Sequence, residues 1–290
     1  MSAVTKATPR VGVVSPGQMG AAIAGQIRAA GHTVLWSAAG RSQATRRRAE
    51  AVSLTESRDL ATLCQRADVI LSICPPADAE EVAAGVAAHG FSGIYVEANA
   101  ISPTRYVGIK ELLPDARAVL DGSIIGPPPS DEKETTLYLA GPERETDVVA
   151  GLFSGSKVRV KILPHDPPAA SALKMAYAGY QKATRALAAV AHALADQYQV
   201  TEHLIDEAER NSRSPLADPG YIPSVAARAW RWAPELRDVA QTLADNGLPS
   251  DQAQAAARVL ERWSDAKDNV RLAPGEALAL LRDRDRSRPD

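Results

Sequence analysis

Six residues between an apolar run and a small-residue helix are the first place in this chain where chemistry can be seated. Ser15-Pro16-Gly17-Gln18-Met19-Gly20 follows Val11-Gly12-Val13-Val14 and opens Ala21-Ala22-Ile23-Ala24-Gly25. Strand, tight turn and helix in that order turn the N–H groups of a helix N-terminus toward the oxygens of a pyrophosphate. Gly17 permits close backbone approach, and Gly20 lets the helix pack tightly on the strand. Ser15 stands where the usual glycine fingerprint has its first glycine, so the pattern is incomplete and other glycine turns also produce it.

The next strand decides which dinucleotide such a turn would suit. A site for NAD places an acid roughly 20 residues past the turn to hold the ribose hydroxyls, whereas a site for NADP omits it and supplies Arg and hydroxyls. From His32 to Ala49 there is no acidic residue, and the strand end reads Ser37-Ala38-Ala39-Gly40-Arg41-Ser42, followed by Thr45. The spacing predicts an NADP site in which Arg41 takes the 2′-phosphate bidentately and Ser42 and Thr45 add hydroxyls. The competing reading is a solvated helix start with Ser42 as its N-cap. Arg47 and Arg48 read as a solvated face.

Ile73-Cys74-Pro75-Pro76 is a strand end followed by two prolines. At the C-terminal mouth of a parallel sheet these residues give a cofactor a rigid apolar wall, and a merely stiff loop fits equally well. Cys74 reads as a small buried residue rather than a nucleophile, since no histidine stands at a useful spacing.

Elements that would position these residues follow from the hydrophobic pattern. Short apolar runs at Val11–Val14, Thr33–Trp36, Val69–Ile73, Gly93–Val96, Ala118–Leu120, Thr135–Ala140 and Val158–Leu163 alternate with helical stretches. This predicts an α/β fold, a Rossmann-like doubly wound and mainly parallel sheet, in a dinucleotide-binding domain over residues 1–164. The last two runs lack a long crossover before Thr135 and are expected to pair differently at the sheet edge.

From Ala169 to Tyr198 an Ala/Leu-rich segment without proline predicts one helix of about 30 residues, roughly 45 Å long at ~1.5 Å per residue. Further helices are expected at Thr201–Asn211, Pro223–Trp232, Pro234–Asn246, Ser250–Asp265 and Pro274–Arg282. Residues 165–290 therefore read as an all-α C-terminal domain for substrate and dimerisation.

With 33 Lys and Arg against 35 Asp and Glu, the charge balance argues against a nucleic-acid or membrane surface. The two cysteines, Cys64 and Cys74, make neither metal spacing nor a disulfide framework. No apolar run approaches a membrane span and the polar N-terminus lacks a signal-peptide core, so a cytoplasmic location is expected. Gly155-Ser156-Lys157 lacks the residue order of a nucleotide-triphosphate loop, and no zinc-protease or serine-hydrolase motif is present.

Several of these stretches recur in order in one superfamily. The Ser15-x-Gly-x-Met-Gly turn, the Pro75-Pro76 loop, Glu97-Ala98-Asn99-Ala100-Ile101-Ser102-Pro103, Asp121-Gly122-Ser123-Ile124-Ile125-Gly126 and Lys174 on the long helix resemble the β-hydroxyacid dehydrogenase/6-phosphogluconate dehydrogenase-like superfamily. The C-terminal part looks closest to an uncharacterised phosphogluconate dehydrogenase-like branch. The resemblance implies that Lys174 is the general acid/base, that the helical domains form a homodimer, and that a small polar substrate binds beside the nicotinamide. Hydride transfer to a carbonyl leaves an alkoxide, which a positioned ammonium stabilises and protonates.

Departures from the family pattern bear on the substrate. The family's helix Asn, four residues past the lysine, is Ala178, and its carboxylate-cradling Ser-Gly-Gly corresponds to Ile125-Gly126-Pro127. Tyr177 and Gln181, near the face of Lys174, are candidates to supply the missing polar group. Asn99, Ser102 and Ser123 are candidate substrate contacts, with Ser102 before Pro103 equally suited to be a helix cap.

The resulting expectation is an NADPH-preferring oxidoreductase acting on a carbonyl/alcohol carbon. Reduction of a C=N bond, as in related imine reductases, is the first alternative. A dinucleotide-binding sensor without turnover is the second.

Overall fold

The computed structural model describes residues 8–164, 166–178, 180, 198–210, 220, 222–245 and 247–281. The chain divides into two compact units, Met1–Tyr180 and Gln181–Asp290. That division falls inside the stretch expected as one long helix and beyond the expected boundary at residue 164.

The first unit is built on one eight-stranded sheet in the order β3-β2-β1-β4-β5-β6-β7-β8. Its strands are β1 Val11–Val13, β2 Val34–Ser37, β3 Thr55–Ser57, β4 Val69–Ser72, β5 Ile94–Glu97, β6 Ala118–Ile125, β7 Thr135–Ala140 and β8 Val158–Ile162. All neighbours run parallel except β6 and β7, which are antiparallel, so the expected mainly parallel sheet with a different pairing at its far edge is what forms. Helices α1 Gln18–Ala29, α2 Gln43–Ala51, α3 Leu60–Arg66, α4 Ala79–Ala87, α5 Pro103–Leu112 and α6 Glu143–Gly151 connect them.

Both faces of the sheet are covered, which is why β1, β2, β4 and β5 read as unbroken apolar runs rather than as alternation. Val11, Val13, Val34, Leu71 and Val96 pack with Ile23 and Ile27 of α1 on one side. Leu35, Ile70, Tyr95 and Val119 pack with Leu63, Val86, Tyr106 and Ile109 on the other.

Two strands differ from expectation. β6 runs through Ile125 instead of stopping at Leu120, because residues Asp121 to Ile125 pair antiparallel with β7, and the buried polar Asp121 and Ser123 within it interrupt the apolar run that the sequence shows. β3, Thr55–Ser57, has exposed Thr55 and Glu56 and so lacks an apolar run; it forms by parallel pairing with β2.

After β8 the chain enters a helix, α7, over residues 169–178. Most of the remaining stretch expected as helix, residues 179 and 181–197, lies outside the described residues, as does Gln181.

The second unit contains α8 Thr201–Arg210, α9 Ile222–Asp245, α10 Asp251–Glu261 and α11 Pro274–Leu280. The two helices expected on either side of Pro234 are one continuous helix, α9. Proline removes one intrahelical donor, but the stripe Ala226, Ala229, Ala233 and Leu236 packs without interruption against Leu260 and Trp263. The Trp263 indole donates to the Ala277 carbonyl at 2.8 Å, joining α11 to this core. Among the described residues no helix is long and apolar enough to cross a membrane.

Candidate functional site

The sheet order reverses direction at β1 and β4, and ligands of open α/β sheets bind in the crevice outside the strand C-termini at such a point. The Ser15–Gly20 turn lies there. Gly17 is the N-cap of α1, no side chain caps it, and the first helical turn carries no acid. The positive end of α1 is therefore left to an outside anion.

Space around the two glycines fits a pyrophosphate cradle. A side chain on Gly20 would lie 3.1 Å from the Ser15 carbonyl oxygen and 3.5 Å from that of Ile73, while beside Gly17 nothing lies within 4 Å. Gly20 thus brings the turn and the β4 end together, and Gly17 leaves its outer side open.

At the end of β2, Gly40 takes a φ of +70° and turns the chain into α2. Ser42 caps α2, accepting from the Thr45 N–H at 3.3 Å, so the competing N-cap reading is part of its role. Thr45 is buried, and its hydroxyl is shared between Ser42 at 3.1 Å and the Arg48 guanidinium at 3.0 Å. Ser37 is buried opposite Ser57 of β3. The Arg41 Nε is buried without a hydrogen-bond partner, a donor that suits a phosphate oxygen.

Arg48 overturns the expectation of a solvated face. Its guanidinium donates to the Pro16 carbonyl at 3.2 Å and to Thr45, tying α2 to the turn 32 residues earlier. Arg46 is also engaged: it donates to the Ala38 carbonyl at 2.9 Å, lies over the Trp36 ring at 5.9 Å, and pairs with Glu56 at 3.5 Å. An acid thus reaches this corner from β3, outside the stretch that sequence spacing surveys.

The Cys74–Pro76 loop is clamped at both ends. Cys74 N–H donates to the Asn99 carboxamide oxygen at 2.6 Å. Asn99 in turn donates to the Ser72 hydroxyl at 3.0 Å, and its N–H donates to Glu97 at 3.0 Å. Beyond the prolines, Arg105 donates to the Pro76 carbonyl at 2.6 Å and forks onto Glu80. Burial pushes the Cys74 thiol up to about 11, so it is no nucleophile near neutral pH. Ser102 caps α5, accepting from the Arg105 N–H at 3.3 Å.

Glu97, whose place in the sequence shows no role, is fully buried at the C-terminal end of β5. Burial pushes its carboxyl up to about 7 against the lowering bonds from Asn99, and its Oε2 has no partner.

On β6 the polar residues hold the start of α7. The Asp121 carboxylate accepts from the Ala170 N–H at 2.7 Å, the Ser171 N–H at 3.0 Å and the Ser171 hydroxyl at 2.5 Å. It supplies the N-terminal anion that helix ends favour. Burial raises its carboxyl while these donors lower it. Ser123 donates to the Ala170 carbonyl at 2.7 Å, so this fully buried hydroxyl docks the helix. One turn on, the Lys174 ammonium donates to the Ile124 carbonyl at 2.6 Å. Tyr177 is 39% exposed on the same helix.

A family model described as NADP oxidoreductase, coenzyme F420-dependent, matches residues 10–96. A second, a domain of unknown function, matches residues 195–263. No curated protein matches the chain. Among solved structures, the conserved protein MTH1747 of unknown function, described as similar to 3-hydroxyacid dehydrogenases, is 24% identical; 89% of this chain covers 97% of it, with a TM-score of 0.57. A reductive aminase from Aspergillus terreus in complex with NADPH and ethyl levulinate is 15% identical, with coverage of 94% and 99% and a TM-score of 0.70. An imine reductase from Myxococcus stipitatus, a V8 variant in complex with NAD+, is 16% identical, with the same coverage and a TM-score of 0.68. These likenesses show the fold, a Rossmann-like domain followed by a helical one; taken with the two family models they bear out the resemblance to the β-hydroxyacid dehydrogenase-like superfamily.

Proposed function

We propose, from this β-hydroxyacid dehydrogenase-like fold and the residues on it, that the protein is an NADPH-preferring oxidoreductase acting on a carbonyl/alcohol carbon of a small polar substrate. One observation carries the reading. The uncapped α1 N-terminus and the Lys174 ammonium lie on the same C-terminal edge of one sheet.

The α1 N-terminus and Gly17 hold the pyrophosphate, Arg41 takes the 2′-phosphate, and the Cys74-Pro75-Pro76 wall lies along the dinucleotide. Gln18 and Met19 contribute the first N–H groups of α1. The nicotinamide, when bound, supplies or accepts the hydride. Lys174 donates a proton to the oxygen that gains negative charge as the carbonyl is reduced, and takes it back in the reverse direction. Ile124 holds the ammonium, and the Asp121 and Ser123 bonds hold the helix beneath it. Asn99, Ser102, Tyr177 and Gln181 remain the substrate-side candidates, whereas the buried Ser123 hydroxyl is spent on the Ala170 carbonyl and is withdrawn from that set; a homodimer with a cytoplasmic location completes the proposal.

The imine and amine chemistry in the names of the two ligand-bound neighbours supports C=N reduction as the second reading. Lys174 supports carbonyl chemistry instead. Thermal melting tests the cofactor assignment: NADPH raises the melting temperature more than NADH at equal concentration. Equal shifts remove Arg41 from the site.

A further inference from the structure

Glu97 and Asp121 occupy paired positions on the adjacent parallel strands β5 and β6, and both are fully buried. Burial disfavours the charge on each carboxylate, and the donors that face it restore that charge. Asp121 holds the Ala170 and Ser171 N–H groups and the Ser171 hydroxyl at hydrogen-bond distance, whereas Glu97 accepts the Asn99 N–H on Oε1, is lowered further by the Asn99 and Ser72 side chains, and has its Oε2 unpaired. Glu97 is therefore the carboxylate with an oxygen that no donor holds.

What Glu97 touches leads directly to the loop. Asn99, held by Glu97 through its backbone, grips Cys74 through its side chain. The Cys74 N–H is the last donor before Pro75 and Pro76, which have none, so this bond fixes where the proline wall begins. We infer that Glu97 is a positioning residue for the dinucleotide site, setting the Cys74–Pro76 wall through Asn99, and that the grip on the dinucleotide varies with the charge on Glu97.

An ionised Oε1 accepts the Asn99 N–H about twice as strongly as a neutral carboxyl. The charged form tightens the loop, and protonation loosens it. The change falls near pH 7, where burial places the Glu97 carboxyl. Other groups facing this region are silent there. Tyr95 on the same strand is raised well above its usual range by burial, the Cys74 thiol lies at about 11, and Glu80 on α4 is lowered by its Arg105 partner on α5. Asp121, also raised by burial, keeps its donors and is present in every variant below.

This inference rests on the proposed dinucleotide site, and the test separates the two. The dissociation constant of NADPH is measured by nicotinamide fluorescence for the full chain and for Glu97→Gln from about pH 5.5 to about pH 8.5. Taking the ratio between the two proteins cancels titration of the ligand's own phosphate. The glutamine keeps an acceptor for Asn99 and never charges. The expected ratio is near one at the acid end and rises to roughly fivefold weaker binding by Glu97→Gln at the alkaline end. In an Asn99→Ala background, where the link to Cys74 is gone, the same substitution has no pH-dependent effect. A ratio that stays constant across pH, or a pH-dependent ratio that survives Asn99→Ala, overturns the inference while leaving the site intact. Absence of NADPH binding by the unaltered protein at every pH overturns the site, and the inference with it.

Discussion

The Lys174 ammonium and the Ile124 carbonyl oxygen are 2.6 Å apart and 50 residues apart in sequence. The lysine is therefore aimed by the end of β6 as well as by its own helix. The same strand supplies the anion under that helix, Asp121, and the hydroxyl that meets the Ala170 carbonyl, Ser123. Strand and helix form one support for a single amine.

If Asp121 is that support, removing it costs stability out of proportion to its size. Asp121→Ala leaves the buried Ala170 and Ser171 N–H groups without their acceptor, a loss of about 3 kcal/mol. Asp121→Asn keeps one acceptor oxygen and loses less. Denaturant unfolding reads both, and an alanine variant within about 0.5 kcal/mol of the parent removes Asp121 from this role.

Arg41 and Arg48 are expected to act in different ways. Arg48 links α2 to the Pro16 carbonyl, so Arg48→Ala weakens NADPH and NADH by similar factors. Arg41→Glu weakens NADPH by roughly a hundredfold more than NADH, because it sets a negative charge against the 2′-phosphate. Binding titrations with both dinucleotides separate these outcomes, and a uniform loss in Arg41→Glu counts against the assignment.

Glu97 carries a stability signature opposite in sign to its proposed effect on binding. Burial holds its folded-state carboxyl at about 7, above the ordinary glutamate value of about 4.5. The folded protein therefore holds a proton that the unfolded chain releases, and stability declines as pH rises from about 4.5 to about 7. Glu97→Gln escapes that decline. The variant matches the parent near pH 4 and is more stable near pH 8, by up to about 3 kcal/mol. Melting temperatures across that range check the sign.

Legibility in the sequence tracked how local each cause is. Val11–Val14, the glycine turn and the prolines after Cys74 signal themselves within a few residues, and the Rossmann-like sheet follows from them. β3 does not, because Thr55 and Glu56 are exposed and only its neighbour defines it as a strand. Pro234 reads as a helix boundary locally, whereas the apolar stripe that carries α9 past it becomes visible only against α10. Arg48 looks like one charge among three until α2 is docked on the turn. Asp121 and Ser123 show no sign of their partners, which lie about 50 residues onward on α7. Glu97 could have been flagged as an acid ending an otherwise apolar strand, a pattern that points to a buried, perturbed carboxyl.

The most direct measurement of the account follows NADPH absorbance with a panel of small carbonyl compounds and a matched panel of imines, for the parent protein and for Lys174→Ala. The parent is expected to oxidise NADPH with at least one carbonyl compound. Lys174→Ala loses roughly a hundredfold or more of that rate while keeping its NADPH-induced melting shift. Undiminished carbonyl reduction by Lys174→Ala, or turnover by the parent with imines alone, contradicts it.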